Sequence, residues 1–280
     1  MNEWKALYLK EIKEHRTIFI FLLALTVAAG FVSVISVGWN TETSVVSSTI
    51  AGTPSSNSLD WSFHMLWAVV PYLFVFVMPF LLTHSFAQEM KGQTHYLLLS
   101  LPVSRSALFL SKVAALVTVA VAIFVLATGA THILYLRLVE LINSNLQMSM
   151  TRVAPRHLWL LIGEVYFAML FVFLGAASGV AGVRLVIKRF QGLASAVFVG
   201  CAFYLYVRLL PPAQSLLGYV LDSYRIPLTK ADSASGQALV LLGDGADSIS
   251  SGLDIAAYSV LFGTALIGCG VFLFDRRAEA

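Results

Sequence analysis

Six apolar runs of span length punctuate the chain, and the polar stretches between them hold most of its charge. The runs cover Thr17 to Gly38, Phe63 to Ala87, Ser106 to Leu136, Leu158 to Val183, Gln191 to Leu210 and Leu253 to Phe274. At 1.5 Å of rise per residue, roughly 20 residues cross a hydrocarbon core ~30 Å thick. A backbone in that core must satisfy its own hydrogen bonds, so runs of this length predict helices. The expected fold is an all-α membrane protein with six spans, approximately 17–38, 63–87, 106–136, 158–183, 191–210 and 253–274. Ahead of them, residues 1–16 place Trp4, Leu7, Tyr8 and Ile12 in one helical sector and Lys5, Lys10 and Lys13 toward the other side. Glu11 falls inside the apolar sector. This pattern predicts an interfacial helix, with the aromatic rings at the headgroup boundary. The run that follows is too long for the apolar core of a cleavable signal peptide, so it is expected to remain as an anchor.

Several interruptions refine this outline. Pro71 and Pro79 lie inside the second run, where they are expected to kink the helix. The third run exceeds the required length and must tilt or project from the bilayer. Gly175, Ala176, Ala177, Ser178 and Gly179 give the fourth run small residues that permit close helix approach. Pro211 and Pro212 are expected to end the fifth. The longest loop, 213–252, contains two short apolar pieces, Leu216 to Leu221 and Ala238 to Leu242. Both are too short to span, so outer re-entrant or interfacial helices are expected there.

Composition agrees: 58% of residues are hydrophobic and 12% charged, against roughly a quarter charged in soluble domains. Charge also sets the sidedness. Twelve Lys and Arg residues fall on the side of the N-terminus and six on the other. The bias assigns both termini, and the segment between the second and third runs, to the cytoplasm of an inner-membrane protein. The net charge of +3 gives no reason to expect a nucleic-acid partner. Cys201 and Cys269 lie inside apolar runs without metal-ligand spacing, and are expected as buried small hydrophobes.

Candidate chemistry is sparse. Glu164 is the one acidic residue well inside an apolar run, and an ionisable group there must face protein or water. Arg137, near the outer end of the third run, is its expected structural ion-pair partner. His84 and His132 fall at opposite depths, which disfavours a shared haem. The acidic loop, including Asp244 and Asp247, is not a complete calcium loop. No phosphate-cradling G-x-x-x-x-G-K-[ST] motif occurs, nor does H-E-x-x-H or G-x-S-x-G. The chain is therefore not expected to be an enzyme.

The most structured polar stretch is Gln88 to Lys112, QEMKGQTHYLLLSLPVSRSALFLSK. A charged start at Glu89, Lys91 and Gly92 leads into Leu97, Leu98 and Leu99. Pro102 then disfavours helix at the residue before it, and Arg105 and Lys112 flank the next run. With the amphipathic start and six runs, the chain resembles the membrane subunit of an ABC transporter of the ABC-2 type. Members commonly show Glu, then Gly-Thr, then Leu-Leu-Ser-x-Pro-x-Ser-Arg, then Lys. Glu89, Gly92, Thr94, Leu98, Leu99, Ser100, Pro102, Ser104, Arg105 and Lys112 fit, with Gln93 inserted between the Gly and Thr.

The resemblance implies an elbow helix over 1–16 and a six-span permease domain over 17–280, with 88–105 as a cytoplasmic coupling loop. Through Glu89, Lys91, Gly92, Thr94, Leu98, Leu99, Pro102 and Arg105 that loop would dock on a separate ATP-binding subunit. Two copies of the ATP-binding subunit, holding ATP and Mg, would power two permease chains, identical or related. This chain would hold no cofactor itself. The expected function is the substrate pathway of an ATP-driven exporter. Two other readings stay open on the residues alone: a membrane scaffold that moves nothing, and a secondary carrier using Glu164. The residues do not identify a substrate.

Overall fold

A computed structural model describes residues 2–51, 69–91, 104–145, 155–187, 190–221, 225–227, 248–250 and 252–276. Helix α1 (Asn2–Glu14) meets α2 (Arg16–Ala51) at the single residue His15. A helical stretch over 69–73 and a 3-10 turn, Phe74–Phe76, lead into α3 (Met78–Lys91). Then come α4 (Arg105–Asn145), α5 (Pro155–Val186) and α6 (Gln191–Val220). A short antiparallel ribbon pairs Arg225–Pro227 with Ser248–Ser250, and α7 (Leu253–Arg276) follows. Among the described residues, six segments are long and apolar enough to cross a membrane: Arg16–Ile35, Val69–Gln88, Ser106–Leu134, Trp159–Arg184, Gln191–Tyr219 and Leu253–Asp275. The protein is an all-α, multi-pass membrane protein, the ribbon of two three-residue strands aside.

Three helices outrun their apolar runs. Helix α2 continues to Ala51, well past the apolar run that ends at Gly38, and α4 continues to Asn145. The expected stop at Pro211 and Pro212 is also corrected, since α6 passes through both to Val220. Proline removes a donor but has a helix-compatible φ. A pair about two-thirds of the way along α6 therefore forfeits hydrogen bonds without ending the helix. The Ser215 hydroxyl donates to the Pro212 carbonyl at 2.8 Å, and the Leu221 N–H closes on Leu217 at 2.6 Å. Leu216 to Val220 is thus the tail of α6, not a re-entrant piece; Ala238 to Leu242 lies outside the described residues. In the second span the kink takes a specific form. Pro79 offers no N–H to Val75, and the turn tightens to 3-10 over Phe74–Phe76, with Val77 N–H on Phe74 O at 2.9 Å.

The core lies between α2, α3, α4 and α5. Phe109, Met78, Leu82, Ile123, Leu170 and Leu174 are fully buried in it. Tyr166 donates to the Ala120 carbonyl at 2.9 Å, tying α5 to α4. In lipid there is no hydrophobic drive between helices, so close packing and such bonds hold the bundle.

The tightest packing joins α5 to α7, which run parallel with glycines in register seven residues apart. A Cβ added at Gly175 would stand 2.5 Å from the Gly263 carbonyl oxygen, and one at Gly182 would stand 3.0 Å from that of Gly270. One at Gly270 would meet the Ser178 carbonyl oxygen at 2.6 Å. Only hydrogen fits at Gly175 and Gly270, and Gly182 is nearly as tight. Gly179, on the same small-residue stretch, receives the Phe198 ring of α6 instead.

Candidate functional site

Two sites emerge, one at each end of the bundle. The first begins with α1. Its buried stripe is Leu7, Glu11 and His15, spaced four apart, while Lys5, Lys10 and Lys13 are exposed. Glu11 therefore faces α4, where it meets Lys112. The Lys112 Nζ donates to both carboxylate oxygens of Glu11 at 2.9 Å and to Ser85 Oγ of α3 at 2.8 Å. It also lies 5.5 Å from the centroid of the Phe86 ring. The two ionic side chains are 3% and 4% exposed. Three ammonium hydrogens thus find three oxygens, which is what allows a charge to be buried at all.

Neighbouring contacts extend this junction. Phe86 packs on Phe109 with centroids 4.8 Å apart, and Phe109 on Phe274 at 5.8 Å. Tyr8 donates to Thr118 at 3.1 Å. The chain runs toward the N-terminal end of α4 through Tyr8 and Glu11, bends at His15, and turns back with Phe19 near Ala115 and Leu116. A void of about 10 Å³, room for about one water molecule, sits between Glu11, His15, Ser85 and Lys112. Among the described residues the buried His15 Nε2 has no hydrogen-bond partner.

This junction stands at the root of the 88–105 segment. Ser85 and Phe86 precede its start by one turn, and Phe109 and Lys112 follow its end by one to two turns. Glu89 and Lys91 lie in the last turn of α3, and Arg105 is the first residue of α4. Gly92, Thr94, Leu98, Leu99 and Pro102 lie outside the described residues. Lys112, read from the sequence as one more flanking charge, is instead a buried hub. Glu11 was visible as a charge in an apolar sector, but its partner, 101 residues away, was not.

The second site surrounds Glu164. A cavity of about 580 Å³ opens between α5, α6 and α7. Its wall is apolar except at Glu164, Tyr206 and Ser259. Tyr206 and Ser259 satisfy each other across α6 and α7 at 2.8 Å, and Tyr258 donates to the Tyr206 carbonyl at 2.9 Å. Glu164 takes a backbone hydrogen bond from Gly252, and Asp254 stands close enough to act on it electrostatically. Its Oε1 is buried and, among the described residues, has no hydrogen-bond partner. Arg137 is on α4, but its side chain is outside the described residues, so the expected pair stays an expectation.

His84 is exposed toward the C-terminal end of α3 and does not line the cavity that holds Glu164. His132 of α4 instead meets the Trp159 ring edge-on at 5.6 Å. The cysteines overturn their expected burial: Cys201 and Cys269 are free and exposed on the outside of the bundle. A small apolar side chain suits a lipid-facing surface as well as a core, so an apolar run does not fix which way it points.

A family model described as "ABC-2 family transporter protein" matches residues 11–183. The matched stretch starts at Glu11 and contains Ser85, Lys112 and Glu164. No curated protein and no solved structure matches the chain.

Proposed function

The chain belongs to the ABC-2 family of transporter proteins, and from that membership we propose that it is the pathway-forming half of an ATP-driven exporter. As a member it is a membrane permease, and an ATP-binding subunit is its general partner. In the proposed complex two permease chains form one pathway and two ATP-binding subunits supply the energy. The coupling element is the 88–105 segment, facing the cytoplasm with both termini, in the inner membrane. ATP and Mg are held by the partner; this chain carries out no hydrolysis.

The observation that carries the coupling is the buried junction of Glu11, Ser85 and Lys112. It clamps the helices on both sides of 88–105 to each other and to α1. A push on that segment therefore reaches α1, α3 and α4 as one body. Without the clamp, the same push would only bend the root of a loop. In this reading α1 is the surface elbow, and its link to α4 makes it part of the lever.

The test is the double substitution Glu89→Ala with Arg105→Ala. Both residues frame the segment and neither belongs to the clamp. The variant is expected to purify with the same elution profile and thermal midpoint as the parent, but to lose the ATP-binding partner and its stimulated hydrolysis. Unchanged co-purification together with unchanged stimulated hydrolysis would sink this assignment.

A further inference from the structure

We infer that the cavity between α5, α6 and α7 is a binding site for a lipophilic organic cation, with Glu164 as its counter-ion. Its volume, about 580 Å³, lies within the range of small-molecule sites, roughly 300–1,000 Å³. The wall offers one charge, and it is negative. Of its polar side chains, Tyr206 and Ser259 already satisfy each other. That leaves the buried Glu164 Oε1, unpartnered among the described residues, as the group able to receive a ligand.

Position narrows the ligand further. Glu164 is five residues inside Trp159, the outer limit of its span, so its backbone lies roughly 7–8 Å below that limit at 1.5 Å per residue. The cavity continues along α5 to Ala176, about 18 Å further by the same rise. A carboxylate held at that depth gains from a cation, and the aromatic rings of Phe173, Phe203 and Phe262 line the rest. Rings of this kind also attract cations through their faces. A phospholipid fits poorly, because its phosphate would meet no Lys or Arg among the lining residues. The required ligand is apolar and cationic, without a phosphate.

This assignment rests on the permease reading only where the bound cation is taken as cargo. Binding itself needs no ATP-binding subunit, so the two fail separately. The probe is radiolabelled tetraphenylphosphonium, equilibrated with the chain in nanodiscs, with empty nanodiscs subtracted. Tetraphenylborate, the same shape with opposite charge, is measured in parallel. Saturable phosphonium binding is expected, with little borate binding. Glu164→Gln should weaken phosphonium binding at least tenfold at an unchanged thermal midpoint. Ala168→Trp, which fills the cavity and keeps the carboxylate, should abolish it, and decides the matter if Glu164→Gln does not fold. Equal phosphonium binding in a folded Glu164→Gln or Ala168→Trp variant overturns the proposal, as does equal binding of the borate. Absence of saturable phosphonium binding to the parent also overturns it, and a Phe203→Cys cross-link between copies would then identify a second chain as the occupant.

Discussion

Lys112 carries an amine into a place where solvent covers 3% of its side chain. What makes this tolerable is complete pairing, with two carboxylate oxygens and the Ser85 hydroxyl within 2.9 Å. Removing one partner strands the other, which typically costs about 3–5 kcal/mol, whereas replacing both by apolar groups is often neutral. Lys112→Met is therefore expected to destabilise the protein by about 3–5 kcal/mol, read as denaturant or thermal unfolding in detergent. Adding Glu11→Leu to it should restore most of the loss; a double variant as unstable as the sum of the singles would contradict the clamp. At this scale the sequence exposed half of each site. Glu11 was anomalous in its helical sector and Glu164 in its span. Their surroundings depend on contacts between residues tens to a hundred positions apart, and no local pattern encodes those.

Helix number and order were legible because a bilayer imposes a length and forbids unsatisfied backbone within it. Helix ends were less so. The stretch after Gly38 is polar, yet α2 continues to Ala51, since a helix leaving the bilayer needs no apolar side chains to go on. Pro211 and Pro212 carry a stop signal that α6 overrides. The small residues of α5 were visible, but their division of labour was not. Gly175 and Gly182 take α7, whereas Gly179 takes Phe198 of α6. Gly270→Leu should drive the two helices apart, because its Cβ would fall 2.6 Å from the Ser178 carbonyl oxygen. Overpacking of this sort costs typically about 1–3 kcal/mol or more. The expected result is a lower thermal midpoint in detergent. Gly268→Leu, which has nothing within 4 Å of its added Cβ, is the control and should melt like the parent. Equal midpoints for the two variants would mean that α5 and α7 do not meet at these glycines.

At the scale of the whole molecule, the two proposed roles fall at opposite ends of helices that cross the bilayer between them. The clamp of Glu11, Ser85 and Lys112 holds α1, α3 and α4 at one end, and the Glu164 cavity opens between α5, α6 and α7 at the other. Tyr166 and the Gly175–Gly263 contact connect the two groups through α5. The sequence carried the family through its motif and six runs. The cavity had no sequence signature, because its walls come from three separate spans of ordinary apolar composition. The central claim is that this chain is powered in trans. Its most direct test is the mass of the intact assembly, extracted from cross-linked native membranes into nanodiscs. The account predicts two copies of this chain with two copies of an ATP-binding subunit, and ATP hydrolysis by that assembly. An assembly of this chain that holds no ATP-binding protein, even after cross-linking, would contradict it.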